Sequence, residues 1–257
     1  MRTTWLRVAL LAVLALPGCS APAGSTPSAS DQVVFQVGTA GGMVPAVALA
    51  LESPALVIYR DGRVLTKVNS LAIQFVPARY DIAQIDPSAV ASFASSAESA
   101  VDPGTDFGTP GVTDAGSTTV ALNGRQVSVY AFDETFDTGL TPAQRNARAA
   151  LRSLVDRAYA LSGGAARAPY TPDRVVVYEL DSHFARTPAT VGWPGPPPAA
   201  FLTASSSRQS IACGELVADP AEMVYRAALD NPGAGWLVDG VTRILAVNPL
   251  PAPGACP

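Results

Sequence analysis

The sequence predicts an α+β protein built from antiparallel hairpins backed by about three helices. Two sets of observations carry that expectation. Apolar runs of strand length are separated by Asp61-Gly62, Asn123-Gly124 and Asp239-Gly240, pairs suited to the positive φ angles of tight hairpin turns. Three helix starts are also written out, as Asp86-Pro87, Thr141-Pro142-Ala143-Gln144 and Asp219-Pro220-Ala221-Glu222.

The chain opens with Arg2 and Arg7, an apolar run from Val8 to Leu16, and Leu16-Pro17-Gly18-Cys19. A positive start, a short apolar stretch and small residues at the end describe a secretory signal. The run is too short to span a bilayer, which takes about 20 residues. Leu16-x-Gly18-Cys19 resembles the lipobox of bacterial lipoproteins, where the cysteine thiol takes a diacylglycerol and becomes the new N-terminus. Residues 1–18 are thus expected to be a signal peptide, and Cys19 the lipidated residue. The 19–31 stretch, rich in Ser, Pro, Ala and Gly, reads as a tether, too poor in apolar surface to offset its ordering entropy. Two acyl chains at about 0.8 kcal/mol per buried methylene would anchor the protein stably to the outer face of the cytoplasmic membrane.

From Gln32 to Val37 a short strand is expected, followed by the hairpin Ala55–Lys67 turning at Asp61-Gly62. Further strands are read over Leu71–Val76 and Arg79–Ile85. Asp86 then caps a helix whose apolar stripe is Val90, Phe93, Ala94, Ala97 and Val101. Thr118–Leu122 and Arg125–Phe132 form a second hairpin. Thr141 and Gln144 supply a capping box for the longest helix, with Ala147, Leu151, Leu154, Val155, Ala158 and Leu161 as its buried stripe. Its arginines 145, 148, 152 and 157 are placed elsewhere on the circumference.

Asp173–Leu180 and Ile211–Val217 read as strands, and 186–200 as a Pro/Gly-rich loop or polyproline stretch. Asp219 is expected to cap a helix reaching about Leu229. Gly235–Val247 forms the last hairpin, before a proline-rich tail with Cys256. Residues 32–165 and 166–257 make an N-terminal and a C-terminal α+β unit, or one continuous domain. Both units run strand, Asp-Pro helix and hairpin, which raises the expectation of a duplicated pseudo-repeat.

The chain has 257 residues and a formal charge of −4, and loss of Arg2 and Arg7 with the leader makes it two units more negative. Lys67 is its only lysine and no basic cluster occurs, which excludes the electrostatic footprint of a nucleic-acid binder. With Cys19 lipidated, Cys213 and Cys256 remain, and two thiols in an exported chain are expected to pair. That bond would close a loop worth about 4 kcal/mol in the chain-entropy view.

Motifs for catalysis are sparse. A Ser-His-Asp set would need His183, the single histidine, and no Gly-x-Ser-x-Gly accompanies it. Lys67 lacks a serine three residues before it, and Gly38-Thr-Ala-Gly-Gly42 lacks the Lys and Ser/Thr of a phosphate loop. No catalytic residue, metal or cofactor is therefore expected. Asp102, Asp106 and Asp114, and then Asp133, Glu134 and Asp137, are loop carboxylates, weighed for calcium and read as caps of backbone amides. Trp193, Tyr178 and Phe184 are the candidates for a ligand groove beside the Pro-rich loop, against packing as a satellite core.

The stretch Asp106–Val120, the Asn123-Gly124 turn and Leu140-Thr-Pro-Ala-Gln144 together resemble a family of actinobacterial envelope lipoproteins. The layout Trp236, Asp239-Gly240, Pro249–Pro253 and Cys256 is similar to theirs. The resemblance implies a location and no activity, so no catalytic residue is carried over. The expected role is a non-catalytic, lipid-anchored envelope protein whose partner is the membrane and another envelope protein or the wall. A ligand-binding lipoprotein for a wall fragment or small solute is the alternative, and a carboxylate-dependent hydrolase the third reading.

Overall fold

The computed structural model describes residues 32–44, 48, 50–68, 76–180, 191–204 and 212–250. The leader, the tether, Cys19, the 71–75 stretch, Phe184, His183 and Cys256 lie outside them. The fold is α+β: the described residues form two sheets, antiparallel but for one short pairing, and three α-helices that lie wholly within them.

The first sheet has seven strands in the order β6-β5-β1-β2-β3-β4-β7. They are β1 (Val33–Ala40), β2 (Leu56–Tyr59), β3 (Arg63–Lys67), β4 (Tyr80–Gln84), β5 (Ser117–Leu122), β6 (Arg125–Tyr130) and β7 (Arg167–Pro169). Alternation puts Val37, Ile58, Val64, Val120 and Val129 on one face. A bulge between Val33 and Phe35 brings both Val34 and Phe35 into the same core. Over that face lie α1 (Pro87–Ala97) and α2 (Pro142–Ala160). The expected stripe of α1 is the buried one, and Asp86 caps it by accepting from Ser88 N at 2.8 Å. Phe35 meets Phe93 edge-on, with ring centres 5.4 Å apart.

The second sheet has six strands, β10-β11-β8-β13-β12-β9. They are β8 (Arg174–Leu180), β9 (Val191–Gly192), β10 (Thr203–Ala204), β11 (Ala212–Val217), β12 (Trp236–Val238) and β13 (Val241–Asn248). The helix α3 (Asp219–Asp230) covers one face, against Val175, Val177, Leu216, Trp236 and Val247.

Two of the three hairpin turns form as expected, and other local expectations need correcting. Asn123-Gly124 and Asp239-Gly240 have φ of 48° and 80°, and 48° and 79°, as a two-residue I′ turn requires. At the first hairpin only Gly62 is left-handed, at 90°. Its loop is the three residues Arg60–Gly62, since Ile58 pairs with Val64. Gly62 N donates to Tyr59 O there, the turn-plus-glycine form of a longer loop. Asp219 does not cap α3. Ala218 holds that position at φ 55°, because its N–H is tied to Asp173 O at 2.7 Å, and Asp219 enters the first turn.

The boundary at 165 also falls too early. β7, from residues 167–169, is the edge strand of the first sheet, paired with β4. The chain is stitched across the sheets as well. Asn248, at the end of β13, donates to Ala50 O and Glu52 O at 3.0 and 2.7 Å. Its carbonyl oxygen accepts from Ser53 Oγ at 2.9 Å and Leu250 N at 3.0 Å. Tyr225 Oη on α3 donates to Ala78 O at 2.9 Å, while Tyr80 Oη, on β4, ties the first sheet to the segment before its own β2 by donating to Pro54 O at 2.6 Å. The units differ in connectivity too. In the first, the leading strand of the hairpin after the helix joins the sheet, β5 onto β1; in the second it is the trailing strand, β13 onto β8. Such a difference argues against simple duplication.

Among the described residues, no helix is long and apolar enough to cross a membrane.

Candidate functional site: a cleft between α2 and the first sheet

Helix α2 starts as its sequence predicts. Thr141 Oγ1 accepts from Gln144 N at 3.2 Å, and Gln144 Oε1 accepts from Thr141 N at 2.8 Å. Gln144 Nε2 also donates to Asp106 at 2.9 Å, so the same side chain ties the preceding loop to the helix.

The arginines depart from expectation. Arg148 has no exposed surface and faces the core beside Leu151, Leu154 and Ala158. Among the described residues no carboxylate bonds it. Its guanidinium instead donates to four backbone carbonyls: Nε to Phe107 at 2.7 Å, Nη1 to Ala131 at 2.8 Å, and Nη2 to Gly108 at 3.1 Å and Tyr130 at 2.8 Å. Burial pulls its pKa down, with Asp137 opposing and Arg152 adding. Arg145 Nη1 donates to Leu140 O and Arg152 Nη1 to Phe132 O, the latter at 3.3 Å. Positions 145, 148 and 152 fall at i, i+3 and i+7, one stripe of a helix. These three bind the carbonyls of the loops that the helix covers. Arg157 is exposed, as predicted.

Holding those loops shapes a cleft. Ala131 stands at φ 47° where its carbonyl meets Arg148, and the residues after it line the cleft. The cavity there is about 740 Å³, a usual volume for a small-molecule site. Its apolar wall combines Val37 and Ala55 with Val155 on α2, and Phe132, Phe136 and Tyr159 add aromatic surface. Polar groups converge on it. Thr39 and Thr118 face each other across β1 and β5 with their hydroxyls 2.8 Å apart. Arg152 sits over the Phe132 ring, 5.7 Å from its centre. Asp133 Oδ1 accepts from Thr135 N at 2.9 Å and Oγ1 at 2.7 Å.

The electrostatics of the cleft are mixed. The Thr135 bonds, and after them the charge of Arg152, hold Asp133 below the ordinary carboxylate range and keep it ionised. Burial raises Tyr159, leaving its hydroxyl protonated and able to donate. Among the described residues Arg152 enters no ion pair.

The residues singled out from sequence lie elsewhere. Trp193 packs edge-on against Trp236, centres 5.4 Å apart, and its indole donates to Pro196 O at 2.8 Å. Tyr178 is buried on the opposite face of the second sheet, beside Cys213 and Ala246. The two rings therefore share no groove. Trp193 belongs to the core under α3, and the 198–200 stretch nearby is a single 3₁₀ turn.

Of the six loop carboxylates, Asp102, Asp106 and Asp133 cap backbone amides, whereas among the described residues Asp114, Glu134 and Asp137 do not, and Asp137 Oδ1 is buried without a hydrogen-bond partner. Asp102 accepts from Gly104 N at 3.0 Å, and Asp106 from Gly108 N at 2.8 Å. No group of three metal-ligating side chains occurs among the described residues. Lys67 is lowered by burial, opposed by Glu52, while the Ser53 hydroxyl on the same back face of the first sheet is bound to Asn248.

Sequence reading missed Arg152, Tyr159, Phe132 and the threonine pair. The arginine spacing was the available signal for the first. The Thr39–Thr118 meeting depends on pairing across 79 positions, which no local pattern reports. Comparison with protein-family models, curated proteins and solved structures found no match to this chain.

Proposed function

We propose that the protein is a lipid-anchored, extracytoplasmic binding protein that holds a small solute in the cleft between α2 and the first sheet. The cleft carries this reading: about 740 Å³ of space in which an arginine, an ionised aspartate and several hydroxyls face an apolar wall. Sites for small molecules combine these features. The anchor rests on Leu16-Pro17-Gly18-Cys19 and the tether after it. The Cys213–Cys256 bond belongs to the same proposal. Cys213 is buried on β11, and Cys256 lies eight residues beyond Asn248, a strand end two strands away. Strands are about 4.8 Å apart and eight residues reach about 26 Å.

The test is a thermal-shift survey of the mature protein against amino acids, short peptides, sugars and nucleotides. A ligand at 100 times its dissociation constant adds about 2.7 kcal/mol, a shift of several degrees. A shift in the wild type that is lost in Tyr159→Ala supports the proposal. Failure of every compound to shift the melting point returns the protein to the anchored, non-binding role. Palmitate labelling that disappears in Cys19→Ala tests the anchor separately.

A further inference from the structure

We propose that the ligand of the cleft is a free α-amino acid with a large apolar side chain, an inference that rests on the binding role proposed for the same cleft. The charges carry it. Arg152 and Asp133 both line the cavity, and Asp133 feels the arginine, yet the two form no ion pair within 4.0 Å. A gap between a cation and an anion suits a ligand that carries its own anion and cation as two substituents of one carbon. An α-amino acid has that arrangement, and the distant termini of a peptide do not.

Arg152 and Asp133 each keep hydrogen-bonding positions that the fold does not use, although the guanidinium also lies over the Phe132 ring. Arg152 makes one hydrogen bond, through Nη1, to Phe132 O among the described residues. The bonds to Asp133 from Thr135 fall on Oδ1. In this arrangement the ligand carboxylate meets the remaining guanidinium N–H groups, and its ammonium meets Asp133 Oδ2. The side chain lies on Val37 and Val155 between Phe136 and Tyr159, which are 37% and 36% exposed. An anion alone would be opposed by Asp133 and Glu134, and a cation alone by Arg152.

The experiment is calorimetry on the mature protein with L-phenylalanine, L-phenylalaninamide and N-acetyl-L-phenylalanine. The amide lacks the carboxylate and the acetyl derivative lacks the ammonium. Each should bind about tenfold or more weaker than the amino acid, as loss of a charge-assisted hydrogen bond implies. Arg152→Ala should remove the preference for phenylalanine over its amide. Asp133→Asn, which can still accept from Thr135, should remove the preference over the acetyl derivative. Arginine and aspartate acting only on the shape of the cleft would weaken all three ligands alike, and that result would overturn the inference. Equal binding of the three by the wild type, or no binding of phenylalanine, would do the same. If phenylalanine fails while another compound binds in a Tyr159-dependent way, the binding role stands and the amino-acid ligand falls. If nothing binds, both fall.

Discussion

Arg148 Nε donates to the carbonyl of Phe107 at 2.7 Å, across 41 positions of chain, from a side chain with no exposed surface. With the bonds to Gly108, Tyr130 and Ala131, the guanidinium neutralises the carbonyl ends of two loops that would otherwise be buried without donors. Arg148→Met should therefore destabilise the protein by about 3–5 kcal/mol, since several acceptors lose their partner together. Arg148→Lys should recover only part of this, because an ammonium cannot span four carbonyls in a plane. Urea midpoints at constant m-value measure both.

Asn248 satisfies both amide hydrogens and both lone pairs of its oxygen. Asn248→Asp replaces two donations with carboxylate oxygen facing the carbonyls of Ala50 and Glu52. It should cost about 3 kcal/mol or more, and Asn248→Ala about 2–3 kcal/mol. Hydrogen exchange should quicken at residues 50–53 in both variants before it does so in α2.

At high pH the tyrosines should govern stability. Burial pushes Tyr178 and Tyr225 up to about 12, from an ordinary value of 10.0. The unfolded chain then loses these protons first, so the stabilisation is complete below pH 10 and declines as pH rises from 10 to 12. Tyr80 and Tyr170 shift in the same direction. Denaturation midpoints measured across this window should fall, and Tyr178→Phe with Tyr225→Phe should flatten the fall.

The hairpin turns give a comparison between similar dipeptides. A Cβ on Gly124 would meet nothing within 4 Å, whereas one on Gly62 would lie 2.1 Å from Ile85 O. Gly124→Ala should cost about 1 kcal/mol, the usual penalty for left-handed backbone. Gly62→Ala should cost at least twice as much, because β2–β3 must shift away from the end of β4. Melting curves of the two variants decide the order.

Much of the framework was legible because the signals are local. Asp86 and Pro87, or Thr141 and Gln144, settle a helix start within four residues, and Asn123-Gly124 settles a hairpin within two. Asp61-Gly62 shows the limit of that locality. Its turn type follows from the Ile58–Val64 register and the approach of Ile85, both set by neighbouring strands. The cleft was less legible still. An arginine in a helix usually marks the solvent side, and only carbonyls from residues 107, 108, 130 and 131 make Arg148 a core residue. Two of the aromatics that are near one another along the chain, Tyr178 and Trp193, are divided by the sheet, whose alternation sends Tyr178 to one face and leaves Trp193 on the other.

The strand order of the second sheet has a consequence for how the protein is made. β13 lies between β8 and β12, near the middle of the sheet, yet it follows every other strand of that sheet in the chain. A nascent polypeptide emerging from the ribosome therefore holds β8 with one long edge unsatisfied until Val241–Asn248 arrives. Any ribosomal stall or nonsense codon upstream of position 241 would release a product with that edge open to other chains.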